Sequence, residues 1–252
     1  MTAELFHNKK PPYICTALTG KNKEEIRDEL KAIIPKRPDL IEWRADFFEE
    51  IHAVDSVLAI AKEIATASKI PILFTIRSEK EGGEKILLTD EEKVHLLSEI
   101  CKSTDVAIID FEVSNEPEHI RELRSNSKKH NKKLILSYHN FDFTPESSEI
   151  MKRAFKAEFY GADIAKVAVM PKTKEDVLRL LTITKEADDA LTIPIVTMSM
   201  GQMGSLSRII GWAYGSIITF GLGVQSSAPG QVPIDSLRQM IEMAQETVGE
   251  WK

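Results

Sequence analysis

The run LILSYH at Leu134–His139 and the run IAKVAV at Ile164–Val169 begin 30 residues apart. Each is short, apolar and rich in β-branched residues, as a buried strand is. Between them, Thr144-Pro145 puts a proline at the first position of a predicted helix. The stretch therefore reads as strand, helix, strand, one βα repeat. Six similar runs lie outward from it, at Tyr13–Leu18, Leu40–Arg44, Ile70–Arg77, Val106–Val113, Ile193–Ser199 and Ser216–Gly221. Helical periodicity fills the intervals: Ile26, Leu30, Ile33 and Ile34, then Val54, Val57, Leu58, Ala61 and Ile64. It continues in Val94, Leu97 and Cys101, in Val177, Leu180, Leu181 and Thr184, and in Leu237, Ile241 and Ala244. Start signals agree: Thr89 and Glu92 have capping-box spacing, Ser114 or Asn115 precedes Pro117, and Thr173 opens a clean stripe.

Eight such units in 252 residues give about 31 residues each, the size of a βα repeat. No Gly/Ser-rich or Pro-rich linker divides the chain, and no G-x-G-x-x-G follows a strand, which argues against an open dinucleotide-binding sheet. The expected fold is α/β, a (β/α)8 TIM barrel, as a single domain over residues 1–252.

Composition narrows the partners. Lys and Arg number 33 against 39 Asp and Glu, a net charge of −6, which argues against nucleic-acid binding. The N-terminal MTAELFHNKKPP has no apolar core of a signal peptide, and no stretch approaches a membrane span. Cys15 and Cys101 are too few for a disulfide framework and fit a reducing, cytoplasmic location. No metal-ligand spacing occurs, so no metal is expected.

In a barrel the active site lies at the carboxyl ends of the strands, and residues two apart share a face. Strand 2 then presents Glu42 and Arg44 on one face, with Ile41 and Trp43 on the other. Strand 3 presents Thr75 and Arg77, strand 4 Asp110 and Glu112, strand 5 Ser137 and His139. Buried charge is costly unless paired, so these groups should converge in the lumen.

Lys166 is the one lysine in the middle of an apolar strand. Desolvation in a lumen disfavours an ammonium, and a free amine can form a Schiff base with a carbonyl. The alternative is a lysine paired with Asp110 or Glu112 for structure alone. His139 is the histidine that ends a strand, next to the lysine strand, where imidazole suits proton transfer. Glu81 precedes the Gly82-Gly83 pair, which permits a sharp turn over the barrel mouth towards His139. A solvated charged loop reads equally well there. Arg44, Arg77 and Arg208 suggest an anionic substrate, and the Gly201–Ser205 turn before Arg208 leaves carboxylate and phosphate both open. Gly221–Gln231 has the composition of a closing lid, with Ser227 and Gln231 as hydrogen-bonding groups, or of a mobile surface loop. Met198 and Met200 share one face of strand 7 as lumen packing.

Five of these stretches, in this order, resemble type I 3-dehydroquinate dehydratase: Glu42-Trp43-Arg44-x-Asp46; Arg77 with Glu81-Gly82-Gly83; Ser137–Phe141; the Lys166 strand; and Ser227–Gln231. The resemblance covers about residues 12–245. It implies dehydration of 3-dehydroquinate to 3-dehydroshikimate in the shikimate pathway, by a homodimer without a cofactor. It implies Lys166 as the Schiff-base lysine, His139 as general acid/base and Glu81 as the group orienting it. It further implies Arg208 on the substrate carboxylate, Arg77, Glu42 and Arg44 on the rest of the substrate, and Ser227 and Gln231 as lid contacts. The first strand, Cys15–Gly20, departs from the family's more proline- or serine-bearing version, at a place with no catalytic role. Two rivals remain: another Schiff-base barrel such as an aldolase, which should carry phosphate contacts at strands 7 and 8, and a non-catalytic barrel that binds a carboxylated ring.

Overall fold

Eight parallel strands, each followed by a helix, make up the computed structural model, which describes residues 12–248. The strands are β1 (Tyr13–Leu18), β2 (Leu40–Arg44), β3 (Ile72–Thr75), β4 (Ile108–Glu112), β5 (Lys133–Asn140), β6 (Ile164–Val169), β7 (Ile195–Ser199) and β8 (Ile218–Gly221). The helices between them are α1 (Lys23–Ile33), α2 (Val54–Ser68), α3 (Asp90–Ser103), α4 (Pro117–Lys129), α5 (Ser147–Phe159), α6 (Lys174–Ala190), α7 (Gly201–Ile210) and α8 (Ile234–Val248). From β1 to β7 each strand pairs with its sequence neighbours, and β1 pairs with β8. The ring closes through a parallel bridge between Ile195 and Ser216, with Ile217 N–H on the Ile195 carbonyl at 3.0 Å. The fold is the (β/α)8 barrel expected from the repeat, and no described helix is long and apolar enough to cross a membrane. His7 and most of the N-terminal stretch read above lie outside the described residues.

Side-chain alternation divides the barrel into two cores. Ile41, Trp43, Phe74, Ile109, Leu136 and Ala165 point outwards and pack under the helices. Leu40, Leu73, Ile108, Ile135, Ile164, Val196 and Ile218 point inwards and fill the lumen with an apolar layer. The next inward position along each strand falls two residues later. That places Glu42, Thr75, Asp110, Ser137, Lys166, Met198 and Phe220 above the apolar layer, at the carboxyl side.

Several boundaries differ from expectation for identifiable reasons. β3 and β7 begin at Ile72 and Ile195 rather than Ile70 and Ile193. Pro71 and Pro194 precede them and have no N–H for the ladder, while their carbonyls still accept from Ile41 and Ala165. β4 and β8 are also shorter, Ile108–Glu112 and Ile218–Gly221, and Arg77 stands beyond the end of β3. α5 starts at Ser147, so Pro145 precedes the helix, and Thr144 donates its hydroxyl to the Met170 carbonyl instead of capping. α4 does begin at Pro117, but with Glu116 at its cap and no side-chain bond. Ser114 and Asn115 bond Glu81 and the Glu112 carbonyl instead. The capping boxes at Thr89–Glu92 and Thr173–Asp176 form. The Gly201–Ser205 stretch is the first part of α7 rather than a turn, because Gly204 lets the helix lie directly on the Ser199 backbone.

Candidate active site

The middle layer of the lumen is polar, buried and internally paired. Lys166 is 4% exposed and faces inwards. Its Nζ stands 3.3 Å from Asp110 Oδ2, 3.5 Å from Glu42 Oε1 and 4.7 Å from the centre of the Phe220 ring. Thr75 Oγ1 donates to the same Glu42 oxygen at 2.9 Å. Glu112, the other acid expected near Lys166, instead bonds Arg77 Nη1 at 3.2 Å and the Ser78 N–H at 2.8 Å.

Arg77 is a hub between strands. Its guanidinium donates to Asp110 Oδ1 at 2.6 Å, Ser137 Oγ at 2.9 Å and Glu112 Oε1. Burial opposes its charge, but Asp110, Glu112, Glu81 and Glu42 outweigh that and hold its pKa above the ordinary value. Arg44 is held by Asp46 in two bonds, 2.9 and 2.7 Å. Asp46 also accepts the N–H of Arg77 and of Glu84. One carboxylate thereby ties Arg44 to both ends of the turn that carries Glu81.

That turn brings Glu81 under His139. Gly82 has φ +84°, and a Cβ on it would fall inside the Phe141 ring; a Cβ on Gly83 would fall on the Arg77 carbonyl. The glycine pair is therefore a requirement of the geometry. Glu81 Oε2 accepts the His139 backbone N–H at 2.9 Å and lies 3.0 Å from His139 Nδ1, while Ser114 Oγ donates to Oε1 at 2.8 Å. Burial, with the charges of Arg77, Lys166 and Arg44, holds the His139 imidazole well below its usual pKa. Burial and the Glu112 carboxylate push Glu81 up to about 7, against the pull of Arg77, Ser114 and the His139 N–H. The pair therefore exchanges a proton near neutrality with its imidazole uncharged, which suits a general acid/base.

Arg208 differs from the other buried cations. It is 2% exposed, and it makes no ion pair with a described residue. Nη1 donates to the Phe220 carbonyl at 3.3 Å and Nη2 to the Pro229 carbonyl at 3.1 Å, while Nε, also buried, has no partner among the described residues. Burial alone lowers its pKa to about 10. A desolvated guanidinium with a spare donor is an anion seat. Above it, Ser227 and Gln231 bond each other, through Ser227 N–H to Gln231 Oε1 at 3.0 Å and Gln231 Nε2 to Ser227 Oγ at 3.1 Å. The Pro229 carbonyl also accepts the Gly201 N–H, which fastens the β8–α8 loop to the start of α7.

All nine residues singled out from the sequence line one cavity: Glu42, Arg44, Arg77, Glu81, His139, Lys166, Arg208, Ser227 and Gln231. Met198 and Met200 are on its wall, as their alternation implied. Phe141, Ala168, Phe220 and Ala228 line it too and were not singled out. Ala168 and Phe220 are two residues beyond Lys166 and Ile218 on inward faces, so strand alternation carries that signal. Asp110 and Asp46 lie behind the wall and act on the site through Lys166, Arg77 and Arg44.

A profile of the type I 3-dehydroquinases matches residues 14–248. The 3-dehydroquinate dehydratase of Geobacillus thermodenitrificans is 48% identical over 240 residues, covering 95% of this chain and 93% of that one. The crystal structure of 3-dehydroquinate dehydratase from Geobacillus kaustophilus superposes with a TM-score of 0.92 at 44% identity, over 95% of this chain and 93% of that one. That of the type I enzyme from Clostridium difficile, bearing covalently modified comenic acid, superposes with a TM-score of 0.91 at 38% identity, over 95% and 94% of the two chains. With a family profile over residues 14–248 and near-full-length relatives that share the barrel, the chain belongs to the type I 3-dehydroquinase family.

Proposed function

We propose that this protein dehydrates 3-dehydroquinate to 3-dehydroshikimate through a Schiff base on Lys166. One observation carries the reading. A buried amine, a histidine–carboxylate pair and a guanidinium without a counter-charge all line a single lumen cavity. The amine serves a ketone, the pair serves proton transfer, and the guanidinium serves a carboxylate.

Lys166 Nζ, as free amine, adds to the ring ketone carbon. The carbonyl oxygen leaves as water with one proton from the nitrogen and one taken up from solvent, so that nitrogen keeps one proton and a positive charge. The resulting iminium is an electron sink for the neighbouring carbon. His139 takes a proton from that carbon through Nε2, since Nδ1 is engaged by Glu81. The electron pair moves to the nitrogen, then returns to expel the hydroxyl from the next carbon, which leaves as water with the proton from His139. Hydrolysis of the imine releases the product and restores the amine. Arg208 holds the carboxylate, Glu42, Arg44 and Arg77 contact the remaining polar groups, and Ser227 and Gln231 close over the ring. The contacts of Arg208 are carbonyls of β8 and the lid rather than a phosphate-binding array, which favours this reading over an aldolase. A cytoplasmic homodimer is proposed with it; the buried thiols of Cys15 and Cys101 suit a reducing compartment.

The test is incubation with 3-dehydroquinate, following the conjugated enone by ultraviolet absorbance. Borohydride is then added and the intact mass measured. The expected result is turnover together with a covalent adduct on Lys166. Turnover that survives Lys166→Ala would end the covalent reading, and binding without turnover would favour the non-catalytic barrel.

A further inference from the structure

Asp110 is 1% exposed and sits on β4 directly behind the amine. Its two oxygens have separate tasks. Oδ1 accepts Arg77 Nη2 and Ser137 Oγ, each at 2.6 Å, and Oδ2 faces Lys166 Nζ at 3.3 Å. The carboxylate is fixed from behind by two donors and presents its free oxygen to the nitrogen. Glu42, the other acid near Nζ, shares its oxygen with Thr75 and lines the cavity where the substrate lies. Burial opposes the charge of Asp110, but Arg77, Lys166 and the Ser137 hydroxyl outweigh it, so the carboxylate stays ionised below the ordinary aspartate range.

We propose that Asp110 is the counter-ion of the covalent intermediate, a positioning residue that balances the positive charge at Nζ both before the imine forms and while it lasts. The proposal rests on the Schiff-base reading of Lys166. An ammonium and a ketone become an iminium and water: the N–C bond forms, the C–O bond breaks, and two nitrogen-bound protons leave with the oxygen. Nitrogen carries one positive charge at both ends of that change. A fixed anion on the protein side therefore stabilises the protonated iminium without having to move, in a lumen where water cannot screen it. An unprotonated imine is a poor electron sink, so this charge is what the elimination requires.

The groups facing Nζ come from every neighbouring strand. They are Glu42 on β2, Asp110 on β4, His139 on β5, the Phe220 ring on β8 and, further down, the Cys15 thiol on β1, with Arg77 beyond Asp110. Burial holds the thiol protonated and the imidazole uncharged. Removing Asp110 therefore leaves Glu42 as the one anion in contact with Nζ among the described residues.

The experiment compares the wild-type chain with Asp110→Asn, which keeps the side chain's shape. Two quantities are followed against pH with 3-dehydroquinate: kcat, and the fraction of protein captured by borohydride as an adduct. In the variant, the alkaline limb of both should move to lower pH by about one unit or more, the shift that loss of an adjacent opposite charge produces. A merely structural role lowers the plateau and leaves the limb in place, and that result overturns the proposal. Ser137→Ala is measured alongside; it keeps the carboxylate and its Arg77 bond but removes one of the two donors on Oδ1, and should move the limb the same way by less. If Asp110→Asn does not fold, an unmoved limb in Ser137→Ala overturns the assignment. Absence of any adduct in the wild-type chain overturns the Schiff-base reading and the counter-ion with it, whereas a wild-type adduct with unmoved variant limbs removes the counter-ion alone.

Discussion

Glu81 Oε2 is bound by His139 twice, by the backbone N–H at 2.9 Å and by ring Nδ1 at 3.0 Å. One oxygen thus sets both the position of the strand end and the orientation of the ring. The pair has a direction in pH as well. Burial drives the imidazole pKa down and the carboxyl up to about 7, so acidification protonates Glu81 before His139 gains charge. With Glu81 protonated, Nδ1–H loses its anionic acceptor and Nε2 becomes a weaker base. The acid limb of kcat/KM is therefore expected near pH 7. In Glu81→Gln that titration is absent, and the limb should move to lower pH. The plateau should fall roughly 10- to 100-fold from loss of orientation. A limb that stays in place would show that the pair does not control the step.

The same turn predicts a steric effect. Gly83 lies against the Arg77 carbonyl, where a methyl group has no room. Gly83→Ala must push the turn away from β3, and with it Glu81 and the Asp46 bonds to Arg77 and Glu84. The expected cost is about 1–3 kcal/mol, as for an overpacked site, read from the urea midpoint. Activity should fall more steeply than stability, because His139 loses its acceptor before the barrel loses its core.

Much of this was legible because strand alternation is a strong signal. Glu42 and Arg44 share a face opposite Ile41 and Trp43, and the structure follows that division: the first pair lines the cavity and the second packs under the helices. Lys166 stood out by being charged within an apolar run. The sequence was silent where long-range partners override local preference. Pro145 looked like a helix start, yet Thr144 is drawn to the end of β6. Ser114 and Asn115 looked like caps, yet they serve Glu81 and Glu112 across the barrel mouth. The glycines after β7 suggested a turn, because close packing of a helix on Ser199 cannot be read from spacing. Which acid faces Lys166 was likewise decided by three-dimensional register: Glu42 and Asp110 reach it, while Glu112 is taken by Arg77.

The lid contacts carry their own prediction. Gln231 bonds Ser227 in two ways, and Ser226 Oγ donates to the same amide oxygen at 3.2 Å. Gln231→Ala removes three bonds that shape the tip of the loop, while the Pro229 latch on Gly201 and Arg208 remains. KM should rise by roughly three- to tenfold, the scale of one or two net hydrogen bonds. The acid limb should stay where it is, since Glu81 and His139 are untouched. Steady-state kinetics across pH separate the two effects, and a displaced limb would contradict the division of labour between lid and acid/base pair.

Arg208 predicts a conflict between stability and function. Its guanidinium is buried with two carbonyls and no carboxylate, and its pKa of about 10 lies below the 12.5 of a free arginine. A cation whose folded pKa is depressed is disfavoured by folding at every pH below that value, and the penalty is relieved only as pH rises through about 10. The size is about 3 kcal/mol by conversion of the shift. Arg208→Met fills the space without the charge and so removes that penalty; even a paired buried ion replaced by apolar side chains is often neutral or stabilising by about 1–4 kcal/mol. The ligand-free melting temperature of Arg208→Met is therefore expected to rise by a few degrees. Its KM for a carboxylated ring should rise tenfold or more, because a charge-assisted bond is lost. Substrate or a carboxylate analogue should raise the wild-type melting temperature and leave that of the variant unchanged. Calorimetry with and without ligand reads all three outcomes, and a variant less stable than wild type in the absence of ligand would show that the carbonyl contacts already satisfy the guanidinium.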